Sequence, residues 1–133
     1  MSTQLFLLVV FLLPGAIEVE ETEAIAHRYH LRDDVVLEDG TRCDLVSAEY
    51  AIEVDFSEKW AEGCGQGLYY GTRLGRYPGV LLIQREETPN HLHKRYLERC
   101  QAVCKRCGIT LWESSEGNTD IRRVYPPDPF QEN

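Results

Sequence analysis

At 133 residues the chain has room for one domain with a single core of ordinary size, and not for two. Its 22 acidic against 14 basic residues give a formal net charge of -8, which excludes broad non-specific adhesion to nucleic acid, because affinity for phosphates comes mainly from Lys and Arg that displace counterions. The basic residues nevertheless cluster at Lys94, Arg95, Arg99, Lys105 and Arg106, so a local basic face on an acidic protein is allowed.

The first charge is Glu18, and before it runs the apolar stretch from Leu5 to Leu13, then Pro14-Gly15-Ala16. Residues 1–16 therefore read as a leader, with the apolar centre and small-residue end of a secretory signal, and point to an exported protein. No Lys or Arg follows Met1, and Pro14 sits poorly before the cut, so a buried strand or short anchor in a cytoplasmic protein is the alternative. Nine apolar residues are too few to cross a bilayer as a helix, and no stable membrane span is expected.

The α/β domain is placed over residues 17–115. Glu18 to Leu31 lacks Gly and Pro and predicts a helix with Ile25 and Tyr29 inward. Val35 to Glu38, Asp39-Gly40, and Thr41 to Val46 predict a hairpin, because Asp-Gly supplies the positive backbone angles of a tight turn. Tyr50 to Phe56 is the third strand. Ser57 is expected to cap a helix from Glu58 to about Arg73, with Trp60, Cys64, Leu68 and Gly71 as its packing stripe. Four glycines inside that helix, Gly63, Gly65, Gly67 and Gly71, each cost about 1 kcal/mol relative to Ala, so a close approach to the strand carrying Glu53 is expected in return.

Tyr77-Pro78-Gly79 leads into Val80-Leu81-Leu82-Ile83, an apolar run suited to an internal strand covered on both faces. A second long helix opens at Thr88 or Asn90, runs to about Cys107 and ends at Gly108, and Ile109 to Trp112 makes the last strand. The order is α-β-β-β-α-β-α-β. Residues 116–133, with Pro126, Pro127 and Pro129, read as an extended or loosely attached tail.

Five cysteines leave at least one unpaired if all pairing is internal. Cys100, Cys104 and Cys107 fall at helical spacing beside Tyr96, Leu97 and Val103, which favours small core-facing residues. A zinc site with His91 or His93 as fourth ligand, or a cysteine-based redox protein, is the rival reading of the same residues.

The chemistry concentrates between Asp44 and Tyr70. The hairpin brings Asp44 and Glu53 to neighbouring strands, and Glu53 and Asp55, two apart, share a face. A carboxylate taken out of water is costly unless it pairs, shifts its pKa or holds a metal, which makes a divalent-cation site the economical reading. On the following helix Lys59, Gln66 and Tyr70 fall within roughly 40° of one another, so one helix face offers a cation, an amide and a phenol.

These residues resemble the PD-(D/E)XK nuclease superfamily, and within it the RecB-like branch with its Asp, Asp/Glu-x-Lys and Gln-x-x-x-Tyr signature. Asp44 matches the first metal-binding acid, Glu53 the second, and Gln66 with Tyr70 the helix motif. The chain also resembles small, often exported bacterial proteins of unknown role that carry a similar Glu-x-Asp-Phe, Lys-Trp-Ala-Glu, Gly-Gln, Tyr-Tyr run. The resemblance implies a restriction-endonuclease-like mixed sheet of about five strands flanked by helices, and a Mg²⁺-dependent cleavage of DNA or RNA for which Mn²⁺ substitutes. Asp44, Glu53 and Asp55 are the implied metal ligands, with Glu23 completing the site from the first helix. Lys59, Gln66, Asp44 and Glu53 are the implied catalytic set, and Tyr70, Lys94 and Arg95 the substrate contacts. The family's lysine position, two after the second acid, is Asp55 here, so Lys59 must reach back to serve. A catalytically inactive module that keeps the fold for binding nucleic acid, a protein partner or a second copy is the alternative. The bland reading of the acids is the solvated face of a strand, with Asp44 paired to Arg42.

Overall fold

A computed structural model describes residues 16–130. Helix α1 (Ala16–Tyr29) is followed by strands β1 (Arg32–Val36), β2 (Arg42–Val46) and β3 (Tyr50–Phe56). A 3-10 turn (Ser57–Lys59) runs into α2 (Trp60–Leu74), then β4 (Tyr77–Gln84), α3 (Asn90–Cys107), β5 (Thr110–Ser115) and β6 (Arg122–Tyr125). One six-stranded sheet takes the strands in chain order. The pairs β1–β2, β2–β3 and β5–β6 are antiparallel, whereas β3–β4 and β4–β5 are parallel because a helix crosses between them. Residues 1–15 of the expected leader lie outside the described residues. No helix among the described residues is long and apolar enough to cross a membrane.

The α/β class and the element order of the sequence reading hold, with one strand added. Arg122–Tyr125, in the stretch read as a loose tail, pairs with β5 through Leu111↔Tyr125 and Glu113↔Arg122. Four residues with two arginines give little period-two signal, and the partner strand rather than local propensity makes this edge. The hairpin turn is held by the Gly40 amide donating to the Leu37 carbonyl (3.0 Å), with Gly40 alone taking a positive φ of 86°. Gly108, at φ 72°, ends α3 as expected. The expected cap at Ser57 is corrected: its hydroxyl is buried without a partner, and no side chain caps the 3-10 turn or α2.

The sheet is covered on both faces. On one, Ile25 and Ala26 of α1 pack against Leu45, Ile52, Val54, Phe56, Leu81 and Ile83. On the other, α2 and α3 close over Val80, Leu82 and Leu111. Odd-numbered β3 residues, Glu53 and Asp55, sit beside Val80 and Leu82 in the β3–β4 register and so point toward α2.

The glycines of α2 make that approach possible, although the strand they touch most is β4. A Cβ at Gly67 would lie 2.9 Å from the Gly79 carbonyl oxygen, and one at Gly63 would lie 3.0 Å from Asp55 Oδ2. At Gly65 nothing stands within 4 Å. Gly67→Ala is therefore expected to destabilise the protein by about 1–3 kcal/mol, through a clash with backbone that cannot swing aside. Gly65→Ala is expected to stabilise it by up to about 1 kcal/mol. Thermal unfolding of the two variants beside wild type reads the difference, and equal melting temperatures would contradict this packing.

Candidate metal centre

Strand β3 is fully paired along β4, from Tyr50↔Tyr77 to Phe56↔Ile83, but its ladder with β2 consists only of Val46↔Ala51 and Leu45↔Ile52. Beyond those pairs two carboxylates take over the amides. The Asp44 N–H donates to Glu53 Oε1 (3.2 Å), and the Val54 N–H donates to Asp44 Oδ2 (2.9 Å). On the other edge of β2 the strand is irregular too. Asp34 stands between the pairs Asp33↔Leu45 and Val35↔Cys43 with a positive φ of 49°, and its carboxylate receives Arg42 Nη1 at 2.7 Å. Arg42 thus serves Asp34, not Asp44.

Asp55 lies one step further along β3, where the strand runs into the 3-10 turn. Glu53 and Asp55 are each only 5% exposed, and Asp55 Oδ2 has no hydrogen-bond partner. No Lys, Arg or His among the described residues forms an ion pair with Asp44, Glu53, Asp55 or Glu18. The nearby guanidinium of Arg85 is held by Glu58 at 2.9 Å and by the Phe56 ring, 3.8 Å from its centroid.

Burial without a counter-charge raises these acids. Glu53 is pushed up to about 9, first by burial and then by the charge of Asp44. Asp55 is pushed up to about 8 by burial, then by Glu18, Asp44 and Glu62, with Lys59 opposing. Asp44 and Glu18 are raised as well, each mainly by burial. Such a set at neutral pH must either hold protons or share a cation.

Asp44 opens onto a cleft of about 440 Å³ whose lining includes Glu18, Thr22, Glu23, Asp33 and Lys59. Lys59, in the 3-10 turn, lines the same cleft without an ion pair to these acids, and its charge lowers both Asp55 and Glu18. The first helix contributes two glutamates. Glu23, expected from the sequence, is exposed at the cleft wall, while Glu18 is half-buried and acts on Asp55 directly. The register of α1 explains this: Glu18, Thr22 and Ile25 follow one inward stripe, and Ile25 was the legible anchor of it. Of the other residues on the Glu23 face, His27 is exposed and His30 lies past the helix end at φ 55°.

The remaining expected residues are less closely joined. Tyr70 is buried against β2, near Cys43 and Ala51, and feels the charge of Glu53. Gln66 is half-buried and makes no side-chain hydrogen bond among the described residues. Lys94 and Arg95 are exposed on α3, and the positive charges that lower Asp55 and Glu18 are those of Lys59 and, for Glu18, Arg85. Among the described residues, the one group of three ligand atoms within 4.8 Å of one another is Cys64, Cys100 and Cys104, so the acids are not drawn together as a closed cage.

All donors in the acidic cluster are carboxylate oxygens, a set that suits a hard divalent cation. The site also sits at the carboxyl end of β3, beyond which ligands of open α/β sheets bind. Comparison with family models, with curated proteins and with solved structures found no match.

Proposed function

We propose that the chain is a phosphodiester hydrolase of restriction-endonuclease-like arrangement that depends on Mg²⁺ or Mn²⁺, with Asp44, Glu53 and Asp55 as ligands and Glu18 as the acid from α1. The observation that carries this reading is the unpartnered, 95% buried Asp55 carboxylate beside two acids that replace the β2–β3 ladder. Leaving oxygen donors in this state costs several kcal/mol, and a cation recovers it. Three antiparallel strands followed by a helical crossover to a parallel strand support the nuclease-like arrangement.

Bound there, a divalent cation supplies a water of lowered pKa and offsets charge on the phosphate. Asp44 and Glu53 hold the site open by keeping β2 and β3 apart, and the Val54 and Asp44 amides fix one oxygen of each. Lys59, on the cleft wall, is the group available to hold a phosphate oxygen or orient the attacking water, in place of the motif lysine that Asp55 displaces.

The acidity of the cleft favours a second reading. Glu18, Glu23, Asp33, Asp34 and Asp44 face a single Lys59, a balance that repels a polyanion and suits an inactive module that keeps only the cation. Supercoiled plasmid, single-stranded DNA and RNA incubated with the full chain and Mg²⁺ or Mn²⁺ decide between them. Metal-dependent cleavage is expected, lost in Asp44→Asn and reduced about 100-fold in Lys59→Ala. Cation binding without cleavage of any of the three would overturn the hydrolase in favour of the module.

A further inference from the structure

A second cluster of metal-ligating atoms lies between α2 and α3, on the same side of the sheet as the acids. Cys64 of α2 meets Cys100 and Cys104 of α3, the latter two one helical turn apart on the same face. Cys64 Sγ is 3.6 Å from Cys100 Sγ, which is 3.7 Å from Cys104 Sγ, and all three sulfurs lie within 4.8 Å of one another. All three are buried and none is in a disulfide. The centre of such a triangle is about 2.1 to 2.4 Å from each sulfur, a range that contains the ~2.3 Å of a metal–thiolate bond.

Among the described residues, no fourth His, Cys, Asp or Glu donor joins them. The walls are Val80, Leu82, Leu97, Ile109 and Leu111. His93 is on the same face of α3, but seven residues from Cys100, about 10 Å along the helix, and its Nε2 meets Glu113 at 3.2 Å. It does not serve as the fourth ligand that the sequence left open. Cys107 is exposed, and Cys43 belongs to a separate cluster around Ala51 and Tyr70.

We infer that Cys64, Cys100 and Cys104 form a three-sulfur site for a soft monovalent cation, Cu(I). Thiolates select Cu(I), zinc or iron–sulfur clusters, and structural zinc is almost always four-coordinate, which this apolar-walled, three-donor pocket does not provide. Any proton that Cys64, Cys100 or Cys104 loses on binding passes to solvent.

The test is an anaerobic titration of the reduced full chain with Cu(I) held by the chromophoric chelator bicinchoninate. One equivalent is expected to leave the chelator, with ultraviolet thiolate-to-copper absorption. Cys64→Ala and Cys104→Ala should each weaken binding at least tenfold, whereas Cys43→Ser and Cys107→Ser should bind as wild type. X-ray absorption at the copper edge of the unsubstituted protein reads the ligands without any risk to folding, and three sulfur neighbours with no nitrogen or oxygen are expected. The proposal is overturned if the chelator keeps the copper, if nitrogen or oxygen neighbours appear, if Cys104→Ala binds as wild type, or if equimolar Zn²⁺ excludes Cu(I) from the site.

Discussion

With a chelator present, the chain is expected to unfold at a lower temperature at pH 9 than at pH 5. The cause is the pair of buried acids on β3. In the folded protein Glu53 titrates at about 9 and Asp55 at about 8, against ordinary values of 4.5 and 3.8. Both are raised, first by burial and then by neighbouring carboxylates, so the folded state binds protons that the unfolded chain has released. Their contribution is fully present below about pH 4 and is lost as the pH rises through 8 and 9. Across the window it amounts to several kcal/mol, and for a domain of this size that is on the order of 10 °C in melting temperature. Glu113, lowered through its bonds with His93 and Arg122, opposes this only below the ordinary carboxylate range. Millimolar Mn²⁺ at pH 8 should restore the lost stability, because the cation takes the place of the protons. A melting temperature that stays level or rises from pH 5 to pH 9 under chelation, as measured by circular dichroism, would count against buried, unpaired acids.

Glu53→Gln separates stability from binding in a way that few substitutions do. Its carbonyl oxygen can still accept the Asp44 N–H and its amide can donate to the Asp44 carboxylate, so the junction between β2 and β3 is kept. It no longer needs a proton at neutral pH. The metal-free variant should therefore be more stable than wild type at pH 8 by several kcal/mol, with a flatter pH profile. Its affinity for a divalent cation should fall by about 100-fold or more, since one charged ligand is gone. Asp44→Ala should lose binding as well but at a cost in stability of about 1–3 kcal/mol, because the Val54 amide is left without its acceptor. Denaturant unfolding at pH 8 ranks the three proteins. A Glu53→Gln variant less stable than wild type would mean that Glu53 is satisfied as an anion by something other than a cation.

Much of the architecture is local and could be read from the chain. Asp39-Gly40, Gly108 and the apolar run Val80 to Ile83 each state their structure within a few residues. The adjacency of Asp44 and Glu53 followed from the hairpin and the period of two. What escaped the sequence depends on how elements dock. That β2 and β3 part at Asp44, leaving their amides to carboxylates, is a tertiary outcome of placing two acids on facing strands. The preference for Glu18 over Glu23 turns on the rotation of α1, which Ile25 and Thr22 settle by their burial. Ser57 has the composition of a cap, yet the tight 3-10 turn takes its hydroxyl away from the helix amides. Cys64 lies 36 residues before Cys100, and only the packing of α2 on α3 brings the two together. The spacing Cys100-x3-Cys104-x2-Cys107 drew attention to Cys107, which proves exposed, because sequence shows the turn of one helix and not its neighbour.

The measurement that bears most directly on the acidic site is a calorimetric titration of the metal-free full chain with Mn²⁺ at pH 7.5, in two buffers of different ionisation enthalpy, beside Glu53→Gln and Asp55→Asn. Wild type is expected to bind one or two ions with release of protons, seen as a heat that changes with the buffer, and both variants should bind far more weakly. Binding without proton release, equal binding by Glu53→Gln, or no heat in wild type would contradict a metal centre built on Asp44, Glu53 and Asp55.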